Sequence, residues 1–296
     1  MQPSVLIYNP KAGRRRSARR IAELVRELET DGPQIVATPT RGPGDATALA
    51  AEAARQGAPL VFVLGGDGTL REAAAGLLGS ETVLAALPGG TTNVVVRALG
   101  LPTAPLAAAR ALKKLAVQEL AVGLCGDQLF LMQASLGLDG QVLANVSPLA
   151  KRLFGRGGVG LAALSEWWRY DYREFELLVD GHPVHATFAA ACNLPFYAGT
   201  LRLIPLERST AGKLDLLLFR GSGRRATLDF GRALLAGRHL ERDDVMVLAA
   251  DEVVISDPDV PLQIDGDTIA NRLGTEIRLA SERLRILAPS AIMGRS

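Results

Sequence analysis

Over its first hundred residues the chain alternates short apolar runs with stretches of helical spacing, and a turn of small residues closes each run. Few folds accommodate that rhythm. Strands joined by helices pair in parallel, and the helices cover both faces of the sheet. Residues 4–8 form the first run, followed by Asn9-Pro10-Lys11-Ala12-Gly13. Ile21, Leu24, Val25 and Leu28 then recur at helical spacing up to the breaker Asp31-Gly32-Pro33. Residues 34–37 give a second strand, and Asp45 caps an alanine-rich helix that runs to Arg55. A third strand, 60–64, enters Gly65-Gly66-Asp67-Gly68-Thr69 and a helix over 69–78. A fourth, 82–87, ends in Pro88-Gly89-Gly90, with helical spacing again over 91–99.

Near residue 116 the rhythm changes. Residues 117–124 and 129–134 read as strands joined by a Gly126-Asp127 hairpin, and one helical stretch covers roughly 149–169. Strands then follow at 174–179, 184–192, 213–219, 253–256, 262–265, 276–279 and 284–287 without helices between them. Strands in series indicate an antiparallel sandwich or barrel. A chain of 296 residues exceeds the roughly 150 of one domain, so two are expected. The expected division is 1–118, 119–288, and a tail, 289–296, returning to the first domain.

Composition narrows the function classes. Thirty-three Lys and Arg against thirty-one Asp and Glu leave a net charge of +2, which argues against a dedicated nucleic-acid binder. Cys125 and Cys192 sit at no metal-ligand spacing and fit a reducing compartment. His182, His185 and His239 have no carboxylate or cysteine partners at metal spacing and read as structural or surface residues. The N-terminus lacks a secretory pattern, and no apolar run approaches the ~20 residues of a membrane span, so a cytoplasmic protein is expected. Neither G-x-x-x-x-G-K-[ST] nor a G-x-G-x-x-G after the first strand is present.

In an α/β sheet, ligands bind at the carboxyl ends of the strands. Gly65-Gly66-Asp67-Gly68-Thr69 lies at such an end and opens a helix, where backbone amides favour phosphate. A carboxylate inside the turn suits Mg²⁺ bridging to phosphates; the plain alternative is an ordinary turn with Asp67 as a cap. Thr40 and Gly44-Asp45 follow the second strand, and Gly89-Gly90-Thr91-Thr92-Asn93 the fourth. Small, hydroxyl or amide residues at four successive strand ends favour a nucleotide site. Of the cations Lys11, Arg14, Arg15, Arg16, Arg19 and Arg20, most are expected to be screened by solvent, with one or two facing a polyphosphate or a membrane.

Asn9-Pro10-x-x-Gly13, Thr40-x-x-x-Gly44-Asp45, Gly65-Gly66-Asp67-Gly68-Thr69, Gly90-Thr91-Thr92-Asn93, Gly137-Leu138-Asp139 and Asp265-Gly266-Asp267 together resemble the diacylglycerol kinase catalytic-domain family, which also holds sphingosine, bacterial lipid and, more distantly, NAD kinases. The resemblance runs nearly the whole length. It implies a doubly wound α/β nucleotide-binding domain, a C-terminal antiparallel β-sandwich, and transfer of the γ-phosphate of ATP to a lipid hydroxyl, diacylglycerol or a related lipid. It assigns ATP to Asn9, Pro10, Lys11, Gly13, Thr40, Gly65, Gly66, Asp67, Gly68, Thr69, Glu72 and Thr92. It gives Asp67 a role in organising phosphates and Mg²⁺, and Asp267 that of general base. It also implies a lipid substrate met at a membrane surface, and it allows a homodimer.

Four departures stand out. Asp267 replaces the family's Glu, with roughly 1.5 Å less reach. Arg71-Glu72 replaces Asn-Glu, and Val94 an Asp. Ala211 stands where bacterial members carry an Asp that ligates a structural Mg²⁺, so that metal is expected to be absent or held by backbone, with Lys213 supplying local positive charge. Trp167, Trp168, Tyr170 and Tyr172, with Lys151, Arg152 and Arg156, form an expected membrane-facing set; a helix packed on the sandwich is the alternative. An NAD kinase-like enzyme and a nucleotide-binding module without turnover are the competing functions.

Overall fold

The computed structural model describes residues 2–12, 17–30, 32–145, 165, 167–197, 201–205 and 212–290. It forms two compact domains, Met1–Val122 with Ser281–Ser296, and Gly123–Ala280.

The first domain begins with strand β1 (Ser4–Tyr8), helix α1 (Ala18–Glu29), β2 (Ile35–Pro39), α2 (Asp45–Arg55), β3 (Leu60–Gly65), α3 (Asp67–Leu77) and β4 (Val83–Pro88). A short helix α4 (Val94–Ala98), α5 (Pro105–Leu112) and β5 (Ala116–Leu120) follow. The order β2-β1-β3-β4 is parallel throughout. Every residue of β4 is buried, and all of β3 but Leu60, as expected of parallel strands covered on both faces. Ile21, Leu24 and Leu28 turn the buried face of α1 inward, and Ser17 caps its first turn through Arg20 N–H. Helices α2 and α3 approach closely at Gly76, where a Cβ would lie 2.3 Å from Thr47 O and 3.0 Å from the Ala50 Cβ, and Thr47 Oγ1 donates to Glu72 O (2.9 Å).

Two expectations need correction here. The strand expected at 284–287 in the second domain is Leu284–Ala288, and it lies beside β4 in the first sheet, with β5 antiparallel on its other side. Its alternation of Leu284, Ile286 and Ala288 inward specifies a buried strand, not which sheet it joins, and it covers the edge β4 would otherwise expose. The single strand expected over 117–124 is two: β5 stays in this sheet, while β6 (Gly123–Cys125) starts the second domain. The chain therefore changes domain after Val122 and returns at Ser281, eight residues before the expected tail.

The second domain continues with β7 (Gln128–Phe130), β8 (Gln133–Gly137), α6 (Leu138–Asn145), β9 (Phe175–Val179), β10 (His182–Ala186), β11 (Phe188–Cys192), β12 (Phe196–Tyr197) and β13 (Leu201–Arg202). Then come β14 (Leu214–Phe219), α7 (Gly223–Leu235), β15 (Val245–Ala250), β16 (Glu252–Ile255), β17 (Leu262–Ile264), β18 (Asp267–Ile269) and β19 (Thr275–Leu279). Two antiparallel sheets result, ordered β10-β9-β16-β19-β6-β7 and β15-β14-β11-β8-β17-β18. Phe175, Leu177, Val253, Ile255 and Ile277 of one pack on Leu136, Ala191, Leu216, Leu218 and Ile264 of the other. This is a β-sandwich.

The expected strand 184–192 bends at Thr187 and crosses from one sheet to the other. Thr187 fixes that corner, its Oγ1 donating to the carbonyls of Phe219 (3.1 Å) and Gly221 (2.7 Å). Helix α7 interrupts the expected series of strands. It covers the outer face of the second sheet, where Phe230 stacks on Phe219 with centroids 4.5 Å apart and Leu234 joins them. That is why β14 is buried on both faces. Cys125 and Cys192 are buried free thiols; loss of solvent pushes Cys125 up to about 12 and Cys192 higher still. His239 is buried, with Nε2 2.8 Å from the Leu203 carbonyl. Among the described residues no helix is long and apolar enough to cross a membrane.

Candidate phosphate-binding turn and late acidic hairpin

In the order β2-β1-β3-β4 the chain winds outward from β1 to β2, then returns past β1 to β3. The connections after β1 and β3 therefore leave in opposite directions and open a crevice at their carboxyl ends, the usual ligand position in such sheets. Asn9 and Gly65-Gly66 stand at those two ends. The turns are tied to one another: Asn9 N–H donates to Leu64 O (3.1 Å), Thr40 N–H to Tyr8 O (2.9 Å), and Gly89 N–H to Gly65 O (2.7 Å). Asn9 Nδ2 reaches Thr69 Oγ1 at 3.4 Å, and Asn9 Oδ1 accepts Lys11 N–H at 2.9 Å.

The glycines do different jobs. A Cβ on Gly89 would lie 2.4 Å from Gly65 N, one on Gly90 2.6 Å from Gly66 Cα, and one on Gly65 2.5 Å from Thr69 Cβ. Gly89 and Gly90 are glycine because the β3 and β4 turns pack backbone to backbone, and Gly65 because the Thr69 side chain of its own turn folds against it. Gly66 is not accounted for that way. Its φ of −85° and ψ of −179° suit any residue, and a Cβ there would meet only Gly90 Cα at 3.5 Å, an ordinary contact. Gly66 is also the N-cap of α3 and offers no capping side chain to the amides of Asp67, Gly68 and Thr69 in the first turn.

Three residues expected to touch nucleotide hold the scaffold as well. Asp67 Oδ1 accepts Val95 N–H at 3.0 Å and so caps α4. Glu72 Oε2 accepts Ala46 N–H at 3.3 Å in the first turn of α2, whose N-cap, Gly44, has no side chain to do so. Thr40 is buried beside β1, while Lys11 is exposed in the first turn and Pro10 half-buried. Thr92 is half-buried, and its carbonyl accepts Arg97 Nε at 3.1 Å. Gly13 and Arg14, Arg15 and Arg16 lie outside the described residues. Asn93 was missed as a structural residue. At φ +48° its Oδ1 accepts both Gly89 N–H (3.1 Å) and Gly90 N–H (2.8 Å), and its Nδ2 donates to Gly90 O (3.0 Å). The signal was an Asn just after a Gly-Gly turn, a residue that tolerates the left-handed region.

In the second domain, Asp265 and Asp267 divide their labour. Asp265, at φ +49°, turns its carboxylate onto three successive amides, Leu131 (2.7 Å), Met132 (2.8 Å) and Gln133 (3.1 Å). That ties the β17–β18 hairpin to the entry of β8. Asp267 opens β18 opposite Ile264, half-buried. Nearby, the Asp139 carboxylate is enclosed by Ser135 Oγ, Gly140 N–H (2.7 Å), Gln263 Nε2 (3.3 Å) and Tyr197, although the residue as a whole is half-buried. Loss of solvent raises the Asp139 carboxyl above the ordinary range, against the opposing pull of those hydrogen bonds. Burial, then the Asp139 charge, raises the Tyr197 hydroxyl well above its usual range.

Ala211, Lys151, Arg152 and Arg156 lie outside the described residues. Lys213 forms an ion pair with Asp251, Nζ to Oδ2 2.6 Å.

Residues 3–125 match the family described as diacylglycerol kinase catalytic domain, and residues 132–288 match the YegS C-terminal NAD kinase beta sandwich-like domain. A Chromohalobacter salexigens protein named "Probable lipid kinase YegS-like" is 34% identical over 73% of this chain and 70% of its own. A Mycobacterium tuberculosis protein named "Diacylglycerol kinase" is 29% identical over 96% of this chain and 94% of its own. A Bacillus anthracis crystal structure superposes with a TM-score of 0.82 at 26% identity, covering 98% of this chain and 96% of that one. With both halves matched in order, the chain belongs to the diacylglycerol kinase and YegS-type lipid kinase family.

Proposed function

We propose that the protein is an ATP-dependent lipid kinase that moves the γ-phosphate of ATP to a lipid hydroxyl, diacylglycerol or a related lipid being the acceptor. The observation that carries this reading is Gly66: the protein's own packing leaves room for a side chain there, and the sequence leaves it empty at the N-cap of α3, at the switch of the sheet. A polyphosphate lying against backbone accounts for both features.

The donor side fits ATP. Gly66 and the first-turn amides of α3 would take phosphate oxygens, and Asn9, Thr40, Thr69 and Thr92 line the same sheet edge. Asp67 would hold Mg²⁺ with the phosphates, its Oδ1 steadied by Val95 N–H. Mg²⁺ and ATP supply charge neutralisation and the transferable phosphoryl group; the chain supplies position. Asp267 would accept the proton of the attacking hydroxyl, for which it must come within about 3 Å of that oxygen. Asp265, by locking the hairpin, sets where the shorter Asp267 side chain begins, so backbone placement compensates for the missing methylene of Glu.

Transfer of label from γ-labelled ATP to diacylglycerol, phosphatidylglycerol and long-chain amino alcohols in mixed micelles tests this, with NAD as a parallel acceptor. Label in one lipid and none in NAD is expected. Label in NAD would move the protein to the NAD kinase branch. ATP binding with no acceptor labelled would make it a regulatory module.

A further inference from the structure

Helix α7 carries two faces of different purpose. Ala226, Phe230 and Leu234, four residues apart, pack inward. Arg225, Leu228, Arg232 and Leu235, at spacings of three, four and three, face out. Two leucines lie on this outward face, Leu235 72% exposed and Leu228 39%, and it is their clustering that sets the face apart. Trp168, 60% exposed, is held against the start of the same helix. The Arg224 guanidinium sits 4.2 Å from the centre of the Trp168 ring and its Nη2 donates to Trp168 O (2.6 Å), while Trp167 Nε1 donates to Arg224 O (3.0 Å). Of the six large apolar side chains exposed among the described residues, three belong to this one strip. From Arg224 to Leu235 it is about 16 Å long at 1.5 Å per residue.

Its charge is one-sided. Residues 220–238 hold five arginines, Arg220, Arg224, Arg225, Arg232 and Arg238, against one acid, Asp229. Asp229 pairs with Arg232 at 3.4 Å and Glu241 with Arg238 at 2.9 Å, so positive charge remains in excess. Leucine and tryptophan on a strip edged by arginine match an interface whose surface is anionic and whose interior is apolar. Nucleic acid would use the arginines and leave Leu228 and Leu235 without a partner.

We propose that the outer face of α7, with Trp168 seated at its start, docks the protein on an anionic lipid bilayer. The lipid-kinase reading supplies only the reason to visit a bilayer. Docking needs no turnover, so the test is run without ATP: a turnover-dead protein that still floats would sink the kinase reading alone.

The experiment is flotation of the full chain with phosphatidylglycerol–phosphatidylcholine vesicles and with phosphatidylcholine alone. Binding at least about tenfold stronger to the anionic vesicles, weakening with salt, is expected. Leu228→Ser with Leu235→Ser should cut partitioning by about tenfold or more, and Arg225→Gln with Arg232→Gln should do likewise on anionic vesicles only. Leu273→Ser, which removes an equally exposed leucine elsewhere in the domain, should change nothing. Circular dichroism melts check folding; if the leucine pair fails to fold, the arginine pair decides. Wild-type protein that does not float, face variants that float as well as wild type, or face variants that only turn a dimer into a monomer would each overturn the proposal.

Discussion

Gly66→Ala and Gly89→Ala look alike in sequence and should behave oppositely. At Gly89 an added Cβ would lie 2.4 Å from Gly65 N, 2.6 Å from its Cα and 2.7 Å from its O, all backbone. Relief requires the β3 and β4 turns to part by roughly an ångström, judged against ordinary contact distances, which overpacks at about 1–3 kcal/mol. The Gly89–Gly65 hydrogen bond, 2.7 Å long, is lost with it at about 1 kcal/mol. Gly89→Ala should therefore lose about 2–4 kcal/mol, a fall in Tm of roughly 4 °C or more. At Gly66 the same methyl meets one atom at 3.5 Å in a backbone conformation open to alanine. Stability should hold, or rise by about 0.4–1 kcal/mol as the unfolded chain loses freedom. Nucleotide binding should suffer instead: displacing one charge-assisted amide–phosphate bond costs about 1.5–3 kcal/mol, roughly 10–100-fold in Kd. Thermal melts beside ATP titration calorimetry measure both. Gly66→Ala protein that melts early, or that binds ATP as wild type does, would refute the assignment of Gly66 to the phosphates.

Asp265→Ala should cost roughly 3 kcal/mol in chemical denaturation, since three amides lose a charged acceptor, while Asp265→Asn, which keeps an oxygen and tolerates the left-handed backbone, should cost less than half of that. Asp67→Ala should lower stability by about 1 kcal/mol through the lost α4 cap, and lower turnover by roughly a hundredfold or more, a gap that a purely capping role would not open. Asp139 has its folded pKa raised, so its favourable contribution is fully present below the ordinary carboxyl value of about 4 and is lost as pH rises through the folded pKa. Asp139→Asn removes that titration, and denaturant melts from pH 4 to pH 8 should show the variant gaining on wild type as pH climbs.

What could be read from the residues is what local pattern encodes. Buried parallel strands leave short apolar runs, so β1, β3 and β4 and the helices between them were legible, as was the glycine turn at the end of β3. Partners far along the chain were not. Nothing near Asp67 announces Val95, and nothing near Asp265 announces Leu131 to Gln133. The alternation in Leu284–Ala288 specifies burial without naming a sheet. Helix α7 had a visible signal in Ala226, Phe230 and Leu234, four apart between Ser222 and Gly237, but Gly231 and several arginines thinned its apolar stripe. Thr187 hid its corner because the residues that follow it, Phe188 to Cys192, are an unbroken apolar run that reads as a continuation of the same strand.

Single-turnover transfer of label from bound γ-labelled ATP to diacylglycerol, with wild type and Asp267→Asn side by side, tests the central claim most directly. ATP affinity is measured on the same preparations. A base within reach of the hydroxyl contributes roughly 10²–10⁴-fold, so Asp267→Asn should bind ATP as wild type does and transfer label slower by that factor. Transfer at the wild-type rate would remove Asp267 from the chemistry, and wild-type protein that binds ATP yet labels no lipid would contradict the kinase assignment itself.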